Sequence, residues 1–335
     1  MILNDLDELA PVEERIVIIN VGTELVSVLA LASALRNGGG VPVLVVNCDP
    51  VPESTKLFEQ LHGQWTFDLI AMPRQVHGVL LDHLFRTLPD ERLLLLDSDA
   101  EIRDPHLLER WRESFASADV FGAGFTHGPF WLTAQHGAGE RTGYYAERPW
   151  IPLTILRVAH VRDALAAGKS FAARTHFNDV SFAPRLGRLL SVRLQESFTP
   201  GNAKLARVRE RAPWLGRLRN TRLPWMAWAR AEFSGHRPNY VYCDTGADVF
   251  AYLRYERERW FAGSPVEVMG DPAHVIANDQ LAHLHGVTRL GLGICDENGT
   301  EVASVAADVE RRLRDVYGVD WPSLSAAAHG TAFGA

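Results

Sequence analysis

A chain of 335 residues, 47% hydrophobic and 22% charged, holds enough apolar material for one large or two medium globular domains, which excludes a disordered tail. A formal net charge of −7 argues against whole-surface binding of nucleic acid. Three widely spaced cysteines, Cys48, Cys243 and Cys295, form no C-x-x-C pair, so neither a disulfide framework nor a zinc ribbon is expected, and a reducing cytoplasm fits.

The N-terminus is acidic at positions 5, 7, 8, 13 and 14 and lacks the basic and apolar regions of a secretory signal. The first half then alternates short β-branched runs with helical patterns, the reading for parallel strands joined by crossover helices. RIVIIN at 15–20 predicts a buried strand. Thr23 is placed to cap a helix in which Leu25, Val28, Leu29, Ala32 and Leu35 share one face, and Gly38, Gly39 and Gly40 end it. This run is the longest uncharged apolar one, and it is far shorter than the roughly 18–20 residues that cross a bilayer. VLVVN at 43–47 is the second strand, turned by Cys48, Asp49 and Pro50. A short helix over 57–62, a strand over 68–72 and an amphipathic helix over 78–88 follow. LLLL at 93–96, apolar on both faces and therefore central, runs straight into Asp97-Ser98-Asp99.

After about residue 115 the alternation fails. A strand over 118–125, a glycine-rich loop over 137–143, and a core segment over 151–161 followed by a helix to 167 are expected. The stretch 184–239, rich in Arg, Pro and Trp, reads as an insertion or lid. Asp244 then opens a helix expected to reach about residue 260, with short strands over 266–269 and 281–285 and one helix in the tail beyond 302.

In open α/β sheets the ligand site lies outside the carboxyl ends of the strands, so Asp97 and Asp99 stand where chemistry is expected. If extended geometry persists, residues two apart face the same side, and both carboxylates meet one ligand while Ser98 turns away. Two adjacent anions repel unless something positive sits between them, and a divalent cation, Mg²⁺ or Mn²⁺, answers that demand. The plain alternative is an acidic loop.

The run RLLLLDSDAEI at 92–102, with the preceding segment from His77-Gly78 to His83, resembles the nucleotide-sugar-dependent glycosyltransferases of the GT-A fold. That resemblance implies an α/β, Rossmann-like mixed sheet flanked by helices with an inserted lid or acceptor segment. Residues 1–300 would form a single catalytic domain, with a nucleotide-sugar-binding half over 1–125 and an acceptor half over 126–300 that contains the insertion 184–239. Residues 301–335 would be a helix and tail. It also implies a nucleotide-diphosphate sugar as donor, a glycan, lipid-linked or small-molecule acceptor, and a Mn²⁺ or Mg²⁺ cofactor. Asp99 would ligate the metal, and Asp97 would touch the ribose, the sugar or the metal through water. The first turn, including Val21, Gly22 and Thr23, together with Asp49, would hold the nucleoside. His77, Gly78 and Asp82 would lie along the ribose and donor sugar, and Ser98, within the D-x-D, counts with the residues around the nucleotide sugar. The turn Val21-Gly22-Thr23 departs from the usual polar-aromatic sequence, which leaves the base open.

The same resemblance gives a late histidine to the metal, and either His283 or His285 fits, because two residues apart share one side of a strand. Ordinary half-buried histidines are the plain alternative. Sugar transfer with inversion needs a carboxylate near the acceptor hydroxyl, for which Asp244 and Asp248 are candidates, although a helix cap is reason enough for Asp244. Arg148 and Trp150 are candidates for the acceptor pocket, core packing being the commoner fate of such a Trp. Between 204 and 230 eight basic residues stand against one acidic residue and interleave with Trp214, Trp225 and Trp228. Such a segment suits a peripheral membrane contact and a lipid-linked acceptor, or simply a solvated surface.

Two other readings compete. Phosphatases of the haloacid dehalogenase type also end a strand in D-x-D, but they want Thr or Val where Glu101 stands and place the motif on the first strand. A non-catalytic sugar-nucleotide-binding protein on the same scaffold is the other. A dinucleotide oxidoreductase lacks its G-x-G-x-x-G after the first strand.

Overall fold

The computed structural model describes residues 1–49, 51–126, 149–172, 174–177, 240–243, 245–265, 274–277, 279–284 and 299–330. Arg148, Asp244, His285, the glycine-rich loop and the basic segment 204–230 lie outside them, as does the strand expected over 266–269.

The strands run β1 (Ile2–Leu3), β2 (Glu14–Asn20), β3 (Val43–Asn47), β4 (Asp68–Ala71), β5 (Arg92–Asp97), β6 (Ala100–Ile102), β7 (Val120–Thr126), β8 (Pro149–Arg157), β9 (Arg174–Phe177), β10 (Tyr240–Cys243), β11 (Trp260–Pro265), β12 (His274–Ala277) and β13 (Leu281–Leu284). The helices are α1 (Glu24–Asn37), α2 (Pro52–His62), α3 (His77–Thr87), α4 (Leu107–Glu113), α5 (Val158–Ala166), α6 (Ala247–Ala251), α7 (Gly299–Arg312) and α8 (Trp321–His329). Eight strands form one sheet in the order β1-β4-β3-β2-β5-β8-β7-β11, and among the described strands of that sheet β8 alone runs against the rest. A small sheet, β12-β13-β6, stands beside it.

Side-chain alternation explains the layers. Ile16, Ile18, Leu94 and Leu96 pack with residues of α1, α2 and α7 on one face, whereas Val17, Leu93 and Leu95 pack with residues of α3, α5 and α6 on the other. A central strand covered on both faces must be apolar throughout, which is why these runs read so plainly in the sequence. The register places Asn20 opposite Asn47 and Ile19 opposite Asp97, so the polar ends of β2, β3 and β5 form one carboxyl edge.

Several sequence expectations are corrected. Helix α1 is buried around its whole circumference from Val26 to Ala34 instead of on one stripe, because α7 contributes Val305 and Val309 to the same apolar cluster. Helix α2 begins at Pro52, well before residue 57, with proline in the first turn where its missing N–H costs nothing. The helix expected to open at Asp244 and reach 260 starts at Ala247 with Gly246 as its N-cap, stops at Ala251, continues as a π-helical turn over Tyr252–Glu256, and gives way to β11. The tail holds α7, a second π-helical turn (Leu313–Tyr317) and α8, not one helix.

At the opposite, amino edge Arg15 is 2% exposed. Its Nε donates to Asp90 Oδ2 (2.7 Å), Nη2 to Asp90 Oδ1 (3.2 Å) and the Ala10 carbonyl (2.8 Å), and Nη1 to Asp68 Oδ2 (2.9 Å). Removing one partner of a buried pair strands the other's charge in the core. Arg15→Met is therefore expected to lower unfolding free energy by about 3–5 kcal/mol in urea titration. A loss under 1 kcal/mol would show that water reaches Asp90.

Candidate metal centre

Strand β5 ends in Asp97, the chain turns at Ser98-Asp99, and β6 leaves the main sheet to pair with β13. That pairing sets His283 opposite Ala100, and the Leu284 N–H donates to the Asp99 carbonyl (2.9 Å). Asp97, Asp99 and His283 each present one ligand atom, all within 4.8 Å of one another. The two carboxylates thus converge although residues 98–99 form a turn, so the condition of persisting extended geometry is not met.

His283 Nε2 lies 3.2 Å from Asp99 Oδ1, while its buried Nδ1 finds no partner among the described residues. Its ring and that of Trp150 meet in a T-shaped contact, centroids 4.9 Å apart at 80°. Trp150 is buried against Phe125 and His283, so it braces the histidine. Burial raises the Asp97 pKa, and the Asp99 charge adds to this while His77 and His283 oppose it. For His283, burial works against the charged ring, but the Asp99 carboxylate and then Asp97 outweigh it and raise the pKa. A site that gathers two carboxylates around one imidazole is short of positive charge. Its donors suit a divalent ion that accepts both oxygen and nitrogen, as Mn²⁺ does.

The remaining site residues separate into groups. Asn20, at the end of β2, accepts from the Thr23 N–H (3.2 Å) and Ser27 Oγ (2.8 Å), and its Nδ2 donates to Asn47 Oδ1 (2.8 Å) and Ser54 Oγ (3.1 Å). Thr23 Oγ1 lies 3.2 Å from Ser98 Oγ, so this buried network ties the first turn to the middle of the D-x-D. Gly22 holds φ +67°, a left-handed conformation that a side chain resists, and Val21 packs on the core beneath. The network was missed in the sequence; its signal was the asparagine closing each of the first two apolar runs. Asp49 closes a turn by accepting from the Val51 N–H (3.0 Å). Burial raises the neighbouring Glu24 pKa, with the Asp49 carboxylate adding to it.

His77 opens α3 and is exposed, close enough for its charge to act on Asp97. Gly78 packs where a Cβ would come within 2.5 Å of the Ala172 backbone. Asp82 is 6% exposed and accepts from Ser170 Oγ (2.6 Å) and the Phe171 N–H (2.7 Å), so both its oxygens hold the turn that Gly78 packs against. Asp248 sits in the first turn of α6, 9% exposed and outside the converging trio; its helix is tied to the same turn through the Gly246 N–H and Phe171 carbonyl (2.8 Å).

Neither a protein-family profile nor a curated protein matches the chain. Among solved structures it is similar to S. aureus TarS 1-349 in complex with UDP-GlcNAc (14% identity, TM-score 0.34), over 45% of this chain and 47% of that one. A mannosyltransferase, PcManGT from Pyrobaculum calidifontis in complex with GDP-Man and Mn²⁺, aligns over 95% of this chain and 85% of its own, at 13% identity and TM-score 0.36. A 4-diphosphocytidyl-2C-methyl-D-erythritol synthase from Anaerococcus prevotii aligns over 46% and 74%, at 8% identity and TM-score 0.34. The chain thus spans about half the length of the TarS structure. At such identities and scores the likeness assigns neither reaction nor residues, and the chemistry rests on the side chains at the carboxyl edge of the sheet.

Proposed function

We propose that this protein is a metal-dependent glycosyltransferase that moves a sugar from a nucleotide-diphosphate sugar to an acceptor hydroxyl. The observation that carries the reading is the convergence of Asp97, Asp99 and His283 at the carboxyl edge of the central strand. Those three residues would hold Mn²⁺ or Mg²⁺, which when bound neutralises charge developing on a leaving diphosphate. The first turn from Asn20 to Thr23 and Asp49 would hold the nucleoside, fixed by the Asn20–Asn47 network. His77 would lie beside the donor near Asp97, and Trp150 would keep water from one side of His283. Asp248 or Asp244 would take the acceptor proton.

A thermal-shift screen of sugar nucleotides with and without Mn²⁺ tests the reading, since a ligand at about 100 times its Kd adds about 2.7 kcal/mol of stability. A metal-dependent shift with one nucleotide family, followed by turnover of that donor, is expected. A shift without turnover under any acceptor would leave a binding protein, and no shift with any donor would sink the reading.

The late histidines give a sharper test. His283→Ala should raise the Mn²⁺ concentration for half-maximal activity at least about tenfold, since even residues that only orient a ligand are typically worth 10–100-fold in metal affinity. His285→Ala should alter it little. Identical metal titrations for wild type and His283→Ala would remove the histidine from the site.

A further inference from the structure

Immediately beyond the metal-binding turn lies a charged group that the proposed chemistry does not use. Glu101, in the middle of β6, is 1% exposed. Arg312 Nε lies 2.5 Å from its Oε1 and 2.6 Å from Oε2, Tyr317 Oη donates to Oε1 (2.6 Å), and Arg103 Nε donates to Oε2 (3.1 Å). Arg312 ends α7 and Tyr317 ends the π-helical turn that follows, so the carboxyl-terminal elements grip β6 from more than two hundred residues away.

A buried ion pair is weak evidence for stability, because apolar residues of similar volume often do as well. Its place points to another role. Strand β6 has three residues, too few to fix its own register, and a slip of one residue turns every side chain to the opposite face. Yet the register of β6 on β13 puts His283 opposite Ala100, next to Asp99. Other bonds to this strand act on its backbone: the Ile102 N–H donates to Ser33 Oγ (3.1 Å), and Asn37 Nδ2 donates to the Ile102 carbonyl (2.7 Å). Glu101 is the residue of β6 held through its side chain by several charge-assisted bonds, and its partner across the ladder is Ala282, beside His283.

We propose that Glu101, clamped by Arg312 and Tyr317, is a positioning residue that sets the distance between Asp99 and His283, so that the carboxyl-terminal helix governs metal affinity without touching the metal. This rests on the metal reading above and deepens it, because it makes an element remote in sequence part of the metal centre's support.

The competing account is the plain electric field of these charges, and the two differ in sign. A field alone makes loss of the Arg312 cation favour binding of Mn²⁺ and makes the neutral change Tyr317→Phe inert. Positioning makes both changes weaken binding. The experiment is titration of the metal-free full chain with Mn²⁺, reading free ion by electron paramagnetic resonance, with thermal melts in parallel. Arg312→Gln is expected to weaken Mn²⁺ binding at least about tenfold, within the range typical of residues that orient metal ligands. Tyr317→Phe should weaken it several-fold. Arg312→Lys, which keeps the charge but not the planar fork, should fall between Arg312→Gln and wild type. Should Arg312→Gln fail to fold, Tyr317→Phe, which loses one hydroxyl, carries the test. Binding as tight as wild type, or tighter, in the folded variants overturns the proposal while the metal reading stands. A cooperatively melting wild type that leaves the Mn²⁺ signal unchanged overturns both.

Discussion

Asp99→Asn should leave the fold standing and remove sugar transfer by at least about 10²–10³-fold, the scale set by losing one preorganised electrostatic contact in an active site. The fold should survive because the bond that seats β13 beside this residue runs from the Leu284 N–H to the Asp99 backbone carbonyl, which asparagine keeps. The side chain is 6% exposed and an amide fills nearly the same space, while its oxygen still faces His283 Nε2. What disappears is one negative charge from a site whose other carboxylate, Asp97, already ionises reluctantly because it is poorly solvated and stands beside Asp99. Metal affinity should fall accordingly, and chelation of the wild type should reproduce the loss. Melting curves, Mn²⁺ titration and a transfer assay check the three parts separately. Normal transfer by both Asp99→Asn and the chelated wild type would mean that the trio holds no ion in the reaction.

Much of this site was legible because its framework is local. The runs ending at Asn20, Asn47 and Asp97 are strands buried on both faces, so unbroken apolar sequence followed by a polar residue marks both the strand and its carboxyl end. The D-x-D needed only that context. What escaped depends on partners distant in the chain. Nothing in residues 25–35 announces that α7 will cover the far side of α1. Glu101 counted only as a residue unlike a phosphatase motif, because a buried carboxylate cannot be recognised before Arg312 and Tyr317 are seen on it. The over-long helix after 244 shows the same effect. YLRYERER has good helical propensity, yet Trp260 pairs with Val120 in β7 and Glu258 adopts φ +52°, so sheet pairing overrides local preference. The nearness of His283 to Asp99 could not come from a two-residue spacing; it is β6 opposite β13 that brings it there, while His285 lies outside the described residues.

The acid–base step supplies the other large effect. Helix α6 takes Gly246 as its N-cap, at φ +79° and without a side-chain cap bond, and Asp248 lies in its first turn. A carboxylate there interacts with the positive end of the helix dipole, a contribution of typically 0.3–1 kcal/mol that Asp248→Asn forfeits. A general base must accept a proton, which an amide cannot do, so the same substitution should cut kcat by about 10²–10⁴-fold if Asp248 takes the acceptor proton. Donor affinity should barely move, because the residue is outside the Asp97–Asp99–His283 trio. Asp244→Asn is the paired measurement, since that residue precedes the same helix in sequence. Melting temperature, donor Kd and kcat on the two variants separate the roles: a base shows a collapse in kcat with the other two nearly constant, whereas a structural carboxylate shows a lowered melting temperature with turnover intact. Wild-type kcat in both variants would assign the proton to another group, or to the leaving phosphate of a reaction that retains configuration.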